Sequence, residues 1–215
     1  ESCAGSLSNL QTTPHICEKE KVVLYGQAKF EEEEKVYKMS IFKKDDDIYT
    51  TQETVFSTDV AIRKGTFQQE VWTNTKAGEY QLVIYDTNEK EEETITAVLP
   101  FTVHPLETTW STETTGTDWN AWGNWSEGSP WTCTNVIIPG SAQAYPILDA
   151  EASNGCNYIH FEPEAEVQNT HLLDYQKAWV ELRLSPNRYY MVAAPLKKIY
   201  SGDWFIAAQG TSLPD

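Results

Sequence analysis

Positive charge is scarce in this chain of 215 residues: 16 Lys and Arg stand against 32 Asp and Glu, a net charge of −16. The deficit is global, with 19 acidic against 11 basic residues before Pro105 and 13 against 5 after it, −8 on each side. Nucleic-acid backbones and anionic membranes are bound through Lys and Arg, so neither partner is expected. No apolar run approaches the roughly 18–20 residues that a spanning helix needs, so no direct membrane insertion is expected. The first residues carry neither a basic nor an apolar leader region, which reads as a mature form with its signal removed or an excised fragment. Also missing are a G-x-S-x-G elbow, a glycine-rich phosphate loop and the D-x-[DN]-x-[DN]-G spacing of a calcium loop. His15, His104, His160 and His171 are scattered, with no serine or cysteine motif beside them. No catalytic residue, cofactor or metal is assigned, and the chain is expected not to be an enzyme.

Cysteine is sparse but informative. Cys3 and Cys17 lie in the first half, Cys133 and Cys156 in the second. Their spacings do not suit zinc, whose ligands come in close pairs. Two local bridges, Cys3 with Cys17 and Cys133 with Cys156, are the simplest pairing, because short loops close at modest entropy and the halves stay separate. Disulfides imply an oxidising compartment, so secretion or cell-surface display is expected, with buried free thiols as the alternative.

What is present is β pattern. From residue 20 to 104, β-branched and aromatic residues alternate with polar ones in runs broken by turns and charge clusters, predicting about seven short strands and an all-β sandwich. The runs cover residues 22–26, 36–42, 54–62, 65–73, 80–85 and 95–103. Asp45, Asp46 and Asp47 read as a charged hairpin turn, and the Glu clusters at 31–34 and 91–93 as solvated loop or edge charge. Residues 106–118 are rich in Thr and read as a linker, short enough for the flanking units to pack and hide Trp110 in the joint. Beyond it, strands are expected at 136–138, 158–161, 171–175 and 179–184. Three of their starts are about 21 residues apart, which suits either rungs of a solenoid or a second sandwich or jelly roll. The domain plan is therefore 1–105, a 106–118 linker, and 119–215.

Two resemblances add to this. Ala77, Gly78, Glu79 and Tyr80, leading into an alternating strand, resemble the tyrosine corner of immunoglobulin-like domains; the disulfide and Trp pin of antibody domains is missing. The order W-x(4)-N-W-S-x-G-x-P at 119–130, then Thr134, Val136, Ile138 and Pro139, Tyr145 with Pro146, and Cys156, resembles a β-rich module of large secreted or surface proteins of Bacteroidetes. Residues 171–180 and 189–203 resemble its continuation. The likeness covers residues 119–205. It implies a non-catalytic module of a long exported polypeptide, of which this sequence is an N-terminal piece truncated in its second domain, and it implies no binding residues.

The functional expectation is adhesion or structural spacing, with an extracellular glycan or another surface protein as partner. Carbohydrate binding is the alternative, since Trp119, Trp122, Trp125 and Trp131, with Asn124, supply indoles to stack on sugars and an amide for hydroxyls. The competing reading of those indoles is core packing. Glycoside hydrolysis by Glu162, Glu164 and Glu166 is a distant third, because like charges alternating on one strand face suit solvent better than acid–base work. His171 and Asp174, three apart on a strand, would point to opposite faces. Asn124-Trp125-Ser126 matches a glycosylation sequon.

Overall fold

The computed structural model describes residues 6–87, 92–186 and 188–189. They form an all-β protein of twelve strands in two units. The first unit has β1 (Ser6–Thr12), β2 (His15–Cys17), β3 (Val22–Lys29), β4 (Glu34–Lys43), β5 (Phe56–Arg63), β6 (Gly65–Trp72), β7 (Gly78–Thr87) and β8 (Glu93–His104). A three-stranded sheet, β1-β3-β6, opposes a five-stranded sheet, β2-β8-β7-β4-β5. Alternation explains the core: Val22, Leu24 and Ala28 on β3, Val60 and Ile62 on β5, and Leu82 and Ile84 on β7 turn inward with period two. The six runs anticipated from the sequence are β3 to β8. The two strands not anticipated, β1 and β2, are short or half-polar. β2 pairs with β8 in parallel, setting Cys17 opposite His104.

The expected tyrosine corner is present. Tyr80 opens the buried part of β7, and its hydroxyl donates to the Lys76 and Ala77 carbonyls at 3.0 and 3.4 Å. Its ring packs between Trp72 and Phe101, with centroids 5.3 and 5.6 Å away.

The second unit resolves the open choice toward a solenoid. β9 (Glu107–Thr109), β10 (Asn135–Ile138), β11 (Tyr158–Phe161) and β12 (Lys177–Val180) lie side by side, all parallel, in chain order. Glu107, Asn135, Tyr158 and Lys177 are in register, so successive rungs are 28, 23 and 19 residues apart. A second row of bridges links Asp118, Ile147 and Gln168, and a third links Gly155 and Asp174. Val136, Ile138, Ile159 and Phe161 point into the coil and meet Leu148 and Leu173 from the other faces. Successive turns touch closely at Gly140, where a Cβ would collide with the Pro163 carbonyl oxygen.

Three expectations are corrected. The Thr-rich stretch is the first rung instead of a linker: Thr108 is buried and its hydroxyl donates to the Gly128 carbonyl at 3.0 Å, while Trp110 is fully buried in the solenoid core. Only Pro105 and Leu106 separate β8 from β9. Residues 171–175 are not a strand: a 3-10 turn occupies Thr170–Leu172, entered through Asn169 in the left-handed conformation. Glu162, Glu164 and Glu166 follow the end of β11 in a turn, with Glu164 at φ 73°, so they share no strand face.

Two substitutions test this packing in urea denaturation. Tyr80→Phe removes a buried hydroxyl and its hydrogen bonds and should cost about 1–2 kcal/mol. Gly140→Ala forces a methyl group against rigid backbone and should cost about 1–3 kcal/mol; unchanged stability in either variant would contradict the corresponding contact.

Candidate functional site

The tryptophan-rich segment comes together inside the first rung, with its indoles turned inward. Trp119 and Trp125 are 1% and 5% exposed and Trp110 is at 0%. Trp125 takes both others edge-on, each 4.9 Å away between centroids. Two of their polar edges look to backbone, Trp110 Nε1 donating to Ala144 O at 2.7 Å and Trp125 Nε1 to Trp119 O at 2.8 Å, while Trp119 Nε1 is buried without a hydrogen-bond partner. Asn124 is buried too. It accepts the Thr114 hydroxyl at 2.6 Å and donates to the Asp118 carbonyl at 2.9 Å, tying the loop to itself. Trp122 is half-buried against Gly128, whose φ of +109° suits glycine. Trp119, Trp125 and Asn124 thus lack the open faces that sugar stacking needs, and the sequon amide is engaged. The first rung is the longest, 28 residues against 23 and 19, and its indoles fill the interior at close packing.

Trp131 has a different place. It leaves the solenoid and stacks on two histidines of the sandwich, His15 at 4.4 Å and His104 at 5.2 Å between centroids. His15 Nδ1 lies 2.9 Å from His104 Nε2, and His104 Nδ1 lies 2.7 Å from the Ser129 carbonyl of the second unit. Burial lowers the pKa of both rings below the ordinary 6.5; for His104 the Ser129 bond opposes this and neighbouring His15 adds to it. Beside them Thr134, fully buried, donates to Pro105 O at 2.7 Å and accepts the Trp131 N–H at 2.9 Å.

The same joint carries the disulfide. Cys17, at the end of β2, bonds Cys133, in the loop before β10, across 116 residues, with Cα atoms 6.4 Å apart. This corrects the two local bridges. The fold itself closes the long loop, since β2 pairs with β8 and β8 leads straight into the solenoid, so chain separation no longer governs which thiols meet. Cys156 is free and buried among the apolar residues of the second unit, where burial, then Asp174, pushes its thiol up to about 12. It packs as a small hydrophobe. Cys3 lies outside the described residues.

A cleft of about 580 Å³ flanks the joint, lined by Glu18, Lys19, Leu106, Glu127, Cys133 and Asn135 among others. Glu18 is already engaged there, its carboxylate accepting the Ala77 N–H at 3.0 Å and the Leu106 N–H at 3.4 Å. A second open cleft of about 540 Å³ lies along the bridge row of Asp118 and Ile147. The Asp45–Asp47 turn uses its carboxylates on its own backbone, Asp46 accepting from Lys43 N and Asp47 from Tyr49 N. Among the described residues no group of three or more His, Cys, Asp or Glu is placed to hold a metal ion. No helix there is long and apolar enough to cross a membrane.

Two outcomes are expected. A non-reducing proteolytic map should return one cross-linked pair joining the Cys17 and Cys133 peptides; a Cys133–Cys156 pair would contradict the joint. Trp119→Ala should cost about 3–5 kcal/mol in denaturant unfolding, the price of an emptied core position, whereas near-neutral stability would return this indole to the surface. A scan against protein-family models, a search of curated proteins and a search of solved structures found no match to this chain.

Proposed function

We propose that this chain is a non-enzymatic piece of a secreted or surface-anchored bacterial protein and serves as a structural spacer in adhesion. The resemblance of residues 119–205 to modules of large exported Bacteroidetes proteins supports the setting, and an internal disulfide is compatible with an oxidising compartment. The observation that carries the reading is the position of that bond. When the ends of the chain are pulled apart, tension runs to Cys17, crosses to Cys133 and continues into the later rungs of the solenoid. Residues 18–132, which include β3 to β8, lie off that path. A spacer exposed to load benefits from such a bypass, because the pairings among β3 to β8 lie inside the closed loop, off the path of the force. The alternative of sugar stacking on residues 119–131 lacks a shared open face of indoles.

Single-molecule extension between the chain ends tests the reading. The oxidised protein should never release the loop of 116 residues, and a thiol reductant should add about 400 Å of contour, at roughly 3.3–3.6 Å per residue. Full contour release without reductant would remove the mechanical argument. A saturable change in tryptophan fluorescence on adding soluble oligosaccharides would overturn the spacer reading in favour of a glycan-binding module.

A further inference from the structure

The His15–His104 pair at the joint is a neutral hydrogen-bonded unit with one consistent protonation pattern. The Ser129 carbonyl can only accept, so His104 carries its proton on Nδ1. Neutral His104 then offers a lone pair at Nε2, and His15 Nδ1–H must donate to it. His104 is 3% exposed, so water cannot substitute for either bond. His15 is covered on one side by Trp131 and His104 and open to solvent on the other, so its other nitrogen is free of that constraint.

We infer that this pair is an acid-sensitive latch on the joint: it accepts one proton with the joint closed, and a second proton opens the contact of His104 with Ser129 and Trp131. The first proton fits because it can sit on His15 Nε2, leaving the Nδ1–H bond to His104 in place and setting a cationic ring over the Trp131 indole, a favourable arrangement. The second has no such place. On His104 Nε2 it would set two N–H groups face to face at 2.9 Å, with two positive rings stacked on one indole.

The charged groups around the pair do not relieve this. On the segment after β2, the Glu18 carboxylate holds the Ala77 and Leu106 N–H groups and Glu20 holds the Cys17 N–H at 2.7 Å. Glu79 on β7 favours a charged His104 but is paired with Lys44 at 2.8 Å. From the second unit, Glu127 faces the neighbouring cleft together with Lys19. The rings therefore titrate as a coupled pair. Both are lowered in the folded chain, so the unfolded chain binds protons first; the stability of the joint is intact above about pH 6.5 and is lost as the pH falls from there through the folded values. The disulfide keeps the units tethered when the latch opens, so the change is local.

Side-chain NMR of the intact oxidised protein between about pH 8 and 4 tests this, following the imidazole C2–H signals, the Trp131 indole N–H and the amides of residues 129–131. The two rings should titrate in separate steps. The Trp131 indole and these amides should hold through the first step and move together with the second, while the Trp110, Trp119 and Trp125 indoles, away from the joint, stay unchanged. In His15→Phe, which keeps a ring on Trp131 but donates no hydrogen bond, His104 should titrate in a single step and carry the Trp131 shift with it. Should that variant not fold, the order of events in the native chain decides alone. Independent titration of both rings near 6.5, a Trp131 shift that accompanies the first proton, or no shift down to pH 4 overturns the latch.

Discussion

The bond between Cys17 and Cys133 is the constraint on which the arrangement of the two units depends. Two residues, Pro105 and Leu106, are all the backbone that separates β8 from β9, and a single backbone crossing is a hinge. A second covalent crossing removes most of that freedom. On a chain-entropy view, closing a loop of 116 residues withdraws about 5 kcal/mol of conformational freedom from the unfolded ensemble. The other contacts across the joint, among them Thr134 to Pro105, Ser129 to His104 and the stack of Trp131 on His15 and His104, then need only set orientation.

The solenoid shows the opposite economy. Its rungs shorten from 28 to 23 to 19 residues along the chain, and the largest side chains sit in the longest rung. Trp110, Trp119 and Trp125 meet edge to face, an arrangement that adds to the area they bury. They fill the first rung from within, while the shorter rungs are filled by Ile138, Ile159, Phe161 and Leu173. A terminal rung of a repeat structure is expected to depart from its neighbours in this way, because it has a neighbour on one side only.

Much of the sandwich was legible in the sequence: β3 and β5 alternate with period two, the central strands β4 and β7 stand out as largely apolar runs buried on both faces at Met39–Phe42 and Leu82–Ile84, and the Gly78–Tyr80 corner announces itself by a local motif. Parallel rungs are harder to read. Four-residue strands such as β10 and β11 give two inward positions each, too few to fix a period, although their spacing hinted at a coil. The Thr-rich first rung looked like a linker because its inward residue, Thr108, is polar and is satisfied by a hydroxyl bond to Gly128 that no local pattern encodes. The residues 171–175 depend on Asn169 at φ 59°, a backbone state that period alone does not reveal. The cysteine pairing and the role of Trp131 were not legible at all. Both are products of β2 joining the sheet beside β8, a contact across nearly ninety residues. The crowding of tryptophan at 119–131 is plain in the sequence, but which way the indoles face is not: at Trp119 and Trp125 they are buried, as core packing requires and sugar stacking does not.

Rotational diffusion reads the coupling of the two units most directly. Backbone 15N relaxation of the oxidised chain should give one tumbling time for the amides of β3 to β8 and the same time for those of β9 to β12, as expected of a single rigid body. Two distinct tumbling times, with the sandwich and the solenoid reorienting independently, would contradict the claim that the disulfide-bearing joint fixes them together.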